Sequence, residues 1–142
     1  MLDAGSGGTH VWPVRVYYED TDAAGIVYYA NYLRYAERAR SELMRSLGGA
    51  HRASMDAQGM VFAVRSCNAD YLLPARLDDA LEVRSRLLEV GGASMTAEQA
   101  VHRDARILVR MEVRLACMGR DGRAVRMPAP VRAALRAFQE GR

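Results

Sequence analysis

The chain contains no lysine; all 20 of its basic residues are arginine. It has two cysteines, three histidines and a single tryptophan. No apolar run extends beyond a few residues, so no stretch could serve as a membrane-spanning helix. The first ten residues, MLDAGSGGTH, lack the basic-then-apolar order of a secretory signal. Cys67 and Cys117 are too few for a disulfide framework, and the expected setting is the cytoplasm, where thiols stay reduced. His10, His51 and His102 are scattered, and neither cysteine has a neighbour at zinc-ligand spacing, so no metal site is expected. There is no G-x-S-x-G elbow and no glycine-rich phosphate loop.

What is present fits one globular domain. The chain has 142 residues, half of them apolar and 26% charged. Its formal net charge is +3, unevenly placed: residues 1–100 hold 10 arginines against 13 acids, and residues 101–142 hold 10 against 4. A basic segment suits an anionic partner, although most arginines on alternating faces simply solvate a surface.

Residues 1–9 are Gly/Ser-rich and read as a flexible tail ahead of a single domain, residues 10–142. Val11, Val14, Val16 and Tyr18 mark a first strand ending near Tyr18, with Pro13 placing it at a sheet edge. Residues 19–29 read as a loop. Residues 30–47 carry an apolar stripe of Tyr32, Ala36, Ala39, Leu43 and Leu47, the signature of a helix. Arg38 and Glu42 are spaced to pair across one turn, and Gly48-Gly49 supplies the stop. Residues 50–58 have no clear period and are read as ambiguous, a short helix and loop being one reading. Four strands follow, at about 61–71, 81–89, 94–102 and 107–117, with a hairpin turn at Gly91-Gly92. The last alternates Ile107, Val109, Met111, Val113, Leu115 and Cys117 against Leu108, Arg110, Glu112 and Arg114, as an antiparallel strand with one wet face does. Asp121-Gly122 reads as a turn and Val131–Gln139 as a short C-terminal helix. The expected class is α+β: one long helix against a five-stranded antiparallel sheet. A single helix covers such a sheet only in part, so a partner subunit is expected.

The stretch richest in chemistry is Tyr17–Tyr32. Glu19, Asp20 and Asp22 place three carboxylates within four residues, just ahead of the long helix. Such acids complement a helix dipole. Alternatively, one faces a cleft as base or nucleophile, beside N–H groups at the helix start that can hold a developing oxyanion. The nearby tyrosines suit either a pocket wall or the core; Tyr32 and Tyr35 read as core.

The run VRVYYEDTDAAGIVYYANYLRYAERAR, together with FAVRSCNADYLLPARLDDALEV and the C-terminal RMP, resembles the 4-hydroxybenzoyl-CoA thioesterase family of hotdog-fold proteins. The closest branch is the acyl-CoA thioesterase associated with the Tol–Pal system. The resemblance covers about residues 11–138. It implies a hotdog fold, in which an antiparallel sheet wraps a long central helix, and hydrolysis of short-chain aliphatic or aryl CoA thioesters. The family's catalytic carboxylate falls on Asp22, as nucleophile or general base, and its oxyanion donor on the backbone N–H of Tyr29. Tyr18, Gly25 and Arg65 are further substrate-binding candidates. No cofactor is implied, because CoA is part of the substrate. The implied partners are acyl-CoA or an acyl-carrier protein, and a second copy of the chain in a homodimer or homotetramer. The Tol–Pal branch usually carries His where Tyr29 stands. A phenol with a pKa of about 10 cannot replace imidazole as an acid–base group near neutrality.

A hotdog dehydratase would need a histidine beside the carboxylate, and residues 19–47 have none. A non-catalytic acyl-CoA or acyl-carrier-protein binding module is the alternative to an enzyme. Nucleic-acid binding, suggested by a pI near 9.1, has no supporting motif.

Overall fold

The computed structural model describes residues 7–142. In chain order the elements are β1 (His10–Arg15), a 3₁₀ turn (Tyr18–Asp20), α1 (Asn31–Ser46), α2 (Gly49–Ala57), β2 (Val61–Tyr71), β3 (Ala80–Val90), β4 (Ser94–Arg103), β5 (Arg106–Met118) and α3 (Ala129–Gln139). The five strands form one antiparallel sheet in the order β1-β3-β4-β5-β2. This is the long helix and five-stranded sheet expected from the sequence, with α2 occupying the segment that had no clear period. Of the expected tail, residues 1–6 lie outside the described residues. Gly8 is tied down: its N–H donates to the Phe138 carbonyl at 3.1 Å.

The α1 stripe is buried from Tyr32 to Leu43, joined by Tyr35, while Leu47 caps the helix and is only partly buried. Tyr32, Tyr35, Ala36, Ala39 and Leu43 face a core built mainly from β3, β4, β5 and α3. Helices bury such a stripe because residues three and four apart share a face. β5 is buried at Val109, Met111, Val113, Leu115 and Cys117, with Arg110, Glu112 and Arg114 outside. Leu108 departs from the alternation. It is fully buried, because the β4–β5 register shifts between Val101 and His102 and turns an outer position inward.

Two local expectations change. β1 ends at Arg15 rather than near Tyr18, because the Tyr17 N–H donates to the Asp20 carboxylate at 2.9 Å and winds the chain into the 3₁₀ turn. Glu42 pairs with Arg45, one turn on, instead of Arg38.

The two sheet edges differ. β1 has six residues and carries Pro13. β2 has eleven, no proline, and side chains mostly exposed along its length.

Candidate active site

Between the 3₁₀ turn and α1 the chain makes a miniature hairpin. Thr21 bridges Val27, the Asp22 N–H donates to the Ile26 carbonyl at 2.9 Å, and the Gly25 N–H donates to the Asp22 carbonyl at 3.0 Å. Gly25 takes φ +77°, which a β-carbon would strain even though open space surrounds it. The Ala24 N–H donates to Asp22 Oδ1 at 2.8 Å, fixing that side chain over the turn.

The three acids of this segment separate into different roles. Asp20 is buried and structural: it accepts from the Tyr17 N–H and, at 3.0 Å, from the Asn31 amide, while its carbonyl accepts from the Tyr28 N–H. This clamps the hairpin to the first residue of α1. Asp22 is exposed, with one oxygen held by the turn and the other without a hydrogen bond among the described residues. Glu19 is exposed.

At the helix start, the N–H groups of Asn31, Tyr32 and Leu33 donate three residues back, to Tyr28, Tyr29 and Ala30. Those of Tyr29 and Ala30 find no acceptor among the described residues. They form a donor pair at the positive end of α1, where anionic oxygen is stabilised. Asp22 lies in the hairpin, and these donors follow two and three residues past its Thr21–Val27 bridge, with Asp20 tying the hairpin to the helix start.

A second loop backs this hairpin. The Val27 N–H donates to the Ala75 carbonyl at 2.9 Å, the Ala75 N–H donates to the Tyr32 hydroxyl at 2.9 Å, and Ile26 bridges Arg76. Arg103 closes the loop by donating to Asp79 at 2.8 Å and to the Pro74 carbonyl. Burial would raise the Asp79 pKa, but the Arg76 N–H and the Arg103 guanidinium hold it below the ordinary carboxylate value. The YLLPARLDD segment is therefore the hairpin's buttress.

Aromatic rings line the approach. Tyr28 and Tyr29 lie 4.9 Å apart, Tyr29 meets Tyr71 edge-on at 5.9 Å, and Tyr71 meets Tyr32 at 5.8 Å. Tyr28, Tyr29 and Tyr71 remain about half exposed, whereas Tyr32 and Tyr35 are core. Burial raises the Tyr35 pKa, and the nearby Asp20 carboxylate adds to the rise without forming a well-aligned hydrogen bond to the buried hydroxyl.

The sequence-derived candidates do not all converge. Asp22 and Gly25 share the hairpin, and Tyr29 follows two residues after its closing bridge. Tyr18 lies beside it with its ring 83% exposed, and its carbonyl accepts from Thr21. Arg65 is apart from them, exposed at the β2 bulge between Val64 and Ser66. Sequence reasoning missed Asn31, Ala30, Tyr71 and Arg40. Arg40 alone carried a signal, being one turn after Ala36 and thus bordering the apolar stripe.

A cleft of about 460 Å³ opens between the middle of α1, α2 and β2. Met44, Met55, Met60, Phe62, Leu87, Met95 and Leu115 give it apolar walls. Arg40 lines it and donates to Gln99 Oε1 at 2.9 Å. The Gln99 amide in turn donates to the Ala36 carbonyl and the Ser85 hydroxyl, and both Gln99 and Ser85 are fully buried. None of residues 17–30 lines this cleft. On β2, Tyr71 packs on Tyr29, and four residues earlier the pKa of the Cys67 thiol is raised by burial and partly lowered by the Arg40 charge; neither residue lines the cleft. Among the described residues no group of three potential ligands could hold a metal ion, and no helix is long and apolar enough to cross a membrane.

The family model described as a thioesterase-like superfamily matches residues 16–135. The acyl-CoA thioesterase YbgC of Haemophilus influenzae is 42% identical over 118 residues, covering 83% of this chain and 84% of its own. A probable thioesterase from Bartonella henselae superposes with a TM-score of 0.80 at 31% identity, over 85% of this chain and all of the other. A 4-hydroxybenzoyl-CoA thioesterase mutant complexed with 4-hydroxybenzoyl-CoA gives a TM-score of 0.82 at 25% identity, over 89% and 98%.

Proposed function

This chain belongs to the thioesterase-like superfamily and hydrolyses acyl-CoA thioesters, and from that premise we propose that Asp22 performs the reaction with the N–H of Tyr29 as oxyanion donor. The observation that carries this reading is an exposed carboxylate in a braced hairpin that runs directly into unoccupied N–H groups at a helix start.

Two routes use these groups. In the first, an Asp22 oxygen attacks the thioester carbonyl carbon. The carbonyl oxygen gains the negative charge and is held by the N–H, the C–S bond breaks, and CoA leaves as thiolate. Water then cleaves the resulting anhydride. In the second, Asp22 takes a proton from a water that attacks the same carbon. Thiolate leaves readily, so neither route needs a cofactor; CoA enters as part of the substrate. Tyr29 contributes through its backbone, which makes its departure from histidine compatible with turnover. The half-exposed rings of Tyr28, Tyr29 and Tyr71 suit short aliphatic or aryl acyl groups.

The quaternary reading rests on β2. An eleven-residue edge strand without proline, exposing Val61, Val64 and Tyr71, presents unpaired N–H and C=O groups to another strand. Its natural partner is the same strand of a second copy, giving a homodimer, with dimers pairing into a homotetramer. The similarity to an acyl-CoA thioesterase supports CoA as the carrier, and the sequence resemblance to the Tol–Pal-associated branch adds the reading of a cytoplasmic enzyme that also takes acyl-carrier-protein thioesters.

The test is thiol release from a panel of aliphatic and aryl CoA thioesters by the wild type and by Asp22→Asn. Turnover that collapses in a folded variant is expected; full activity in that variant overturns the assignment of Asp22.

A further inference from the structure

Arg40 is a cation in an unusual place. Most of its surroundings are protein, burial pulls its pKa below the ordinary guanidinium value, and among the described residues it forms no ion pair. Its protein hydrogen bond goes to a neutral amide oxygen, Gln99 Oε1. A guanidinium has five N–H donors, and desolvated charges in proteins are normally paired with acids. Gln99 is held by Ala36 and Ser85, so the guanidinium is fixed rather than free to swing out to solvent.

The other charged groups on the cleft do not satisfy it. Arg52 and Asp56 of α2 pair with each other at 4.0 Å, both well exposed. Glu37, one turn back on α1, is exposed and forms no ion pair, though its charge favours the Arg40 cation. The walls around Arg40 are otherwise largely methionine, leucine and phenylalanine. The cleft therefore combines an apolar tube with one fixed, under-partnered cation.

Its distance from the chemistry is set by the helix. The Gln99 amide meets the Ala36 carbonyl, five residues beyond Asn31, which places the Arg40–Gln99 pair about 8 Å along the axis from the helix start. At about 1.2 Å of advance per extended single bond, that span corresponds to roughly six or seven bonds. Tyr71 and Cys67, four residues apart on β2, lie in the same interval, one against Tyr29 and the other within the electrostatic reach of Arg40.

We propose that this cleft receives the far end of the acyl chain and that Arg40 selects thioesters whose chain ends in a carboxylate, the CoA half-thioesters of six- to eight-carbon dicarboxylic acids. The inference rests on the hydrolase reading above, which supplies the position of the thioester. The carboxylate accepts from Arg40 N–H groups that Gln99 leaves open, and the methylenes cover the methionine walls. Charge-assisted hydrogen bonds to a fixed guanidinium contribute about 1.5–3 kcal/mol, or roughly 10- to 150-fold in kcat/KM.

The test compares kcat/KM for adipoyl-CoA against hexanoyl-CoA, and for suberoyl-CoA against octanoyl-CoA. The wild type is expected to favour the carboxylate-ended member of each pair at least tenfold. In Arg40→Met the ratio falls to one or below, and in Arg40→Lys it is intermediate. A wild-type ratio near one overturns the proposal, as does an Arg40→Met variant that loses activity on both members equally. Loss of the dimer in Arg40→Met with an unchanged ratio also overturns it, by assigning Arg40 to the subunit interface. Calorimetric titration of Asp22→Asn and of Asp22→Asn/Arg40→Met with adipoyl-CoA and hexanoyl-CoA reads the contact without turnover. Tighter adipoyl binding that needs Arg40 supports the proposal even if hydrolysis is absent and the hydrolase reading fails; equal binding overturns it.

Discussion

Asp20 and Asp22 stand two residues apart, one ending the 3₁₀ turn and the other opening the hairpin, and the two halves of this segment have opposite characters. The Asp20 half is closed: its carboxylate is buried and accepts from a backbone N–H on one side and a helix side chain on the other. The Asp22 half is open, with an exposed carboxylate and two N–H groups nearby in the chain that donate to nothing among the described residues. An acid whose hydrogen-bonding capacity is satisfied holds structure, while one left exposed and partly unsatisfied is free for the role proposed for Asp22. The closed half stabilises the geometry that the open half uses.

Substitutions at four positions probe this division. Asp22→Asn keeps the turn's acceptor and removes the charge, so kcat is expected to fall by about 10²- to 10⁴-fold with the thermal midpoint retained. Comparable loss of stability would show that the open half is also structural. Asp20→Ala leaves the Tyr17 N–H and the Asn31 amide unpaired, and chemical denaturation should show a loss of about 1–3 kcal/mol. Activity should fall with it, but less than in Asp22→Asn; a stable Asp20→Ala enzyme would break the comparison from the other side. Gly25→Ala forces a β-carbon into a left-handed conformation at about 1–2 kcal/mol, and Gly25→Asn, which tolerates that conformation, should recover part of the lost stability and turnover. The smallest effect is expected for Tyr29→Phe. Under the proposed mechanism the donor is the backbone N–H, so kcat/KM should change by no more than about twofold, an energy below about 0.5 kcal/mol. A large drop there would move the phenol itself into the reaction.

These distinctions were only partly legible in the sequence. The α1 stripe and the β5 alternation announce themselves because each repeats over many residues, so single irregularities average out. α2 does not, since Met55 is its single buried residue among those described and one apolar position carries no period. The inward turn of Leu108 depends on a register shift against β4, which local pattern cannot reveal. In the site, the motif placed Asp22, Gly25 and Tyr29 together, but it could not say which of the three acids would be buried. That is decided by Asn31, eleven residues beyond Asp20. Arg40, Gln99 and Ala36 meet across about sixty residues of chain, and such a meeting exists only once the sheet has formed. Arg65 shows the reverse case, a charged residue within a recognisable run that the β2 bulge turns out to solvent away from the hairpin.

The free thiols carry a practical consequence. Cys117 is sealed in the core, while Cys67 lies open on β2, the strand assigned to subunit pairing, and beside Arg40. The molecule is thus supplied with a single addressable point for a maleimide dye, and the lack of lysine leaves no side-chain amine to compete with it. The speed of that labelling would act as a gauge of how much of the strand is shielded: slow when a second copy lies against it, quick when dilution parts the two.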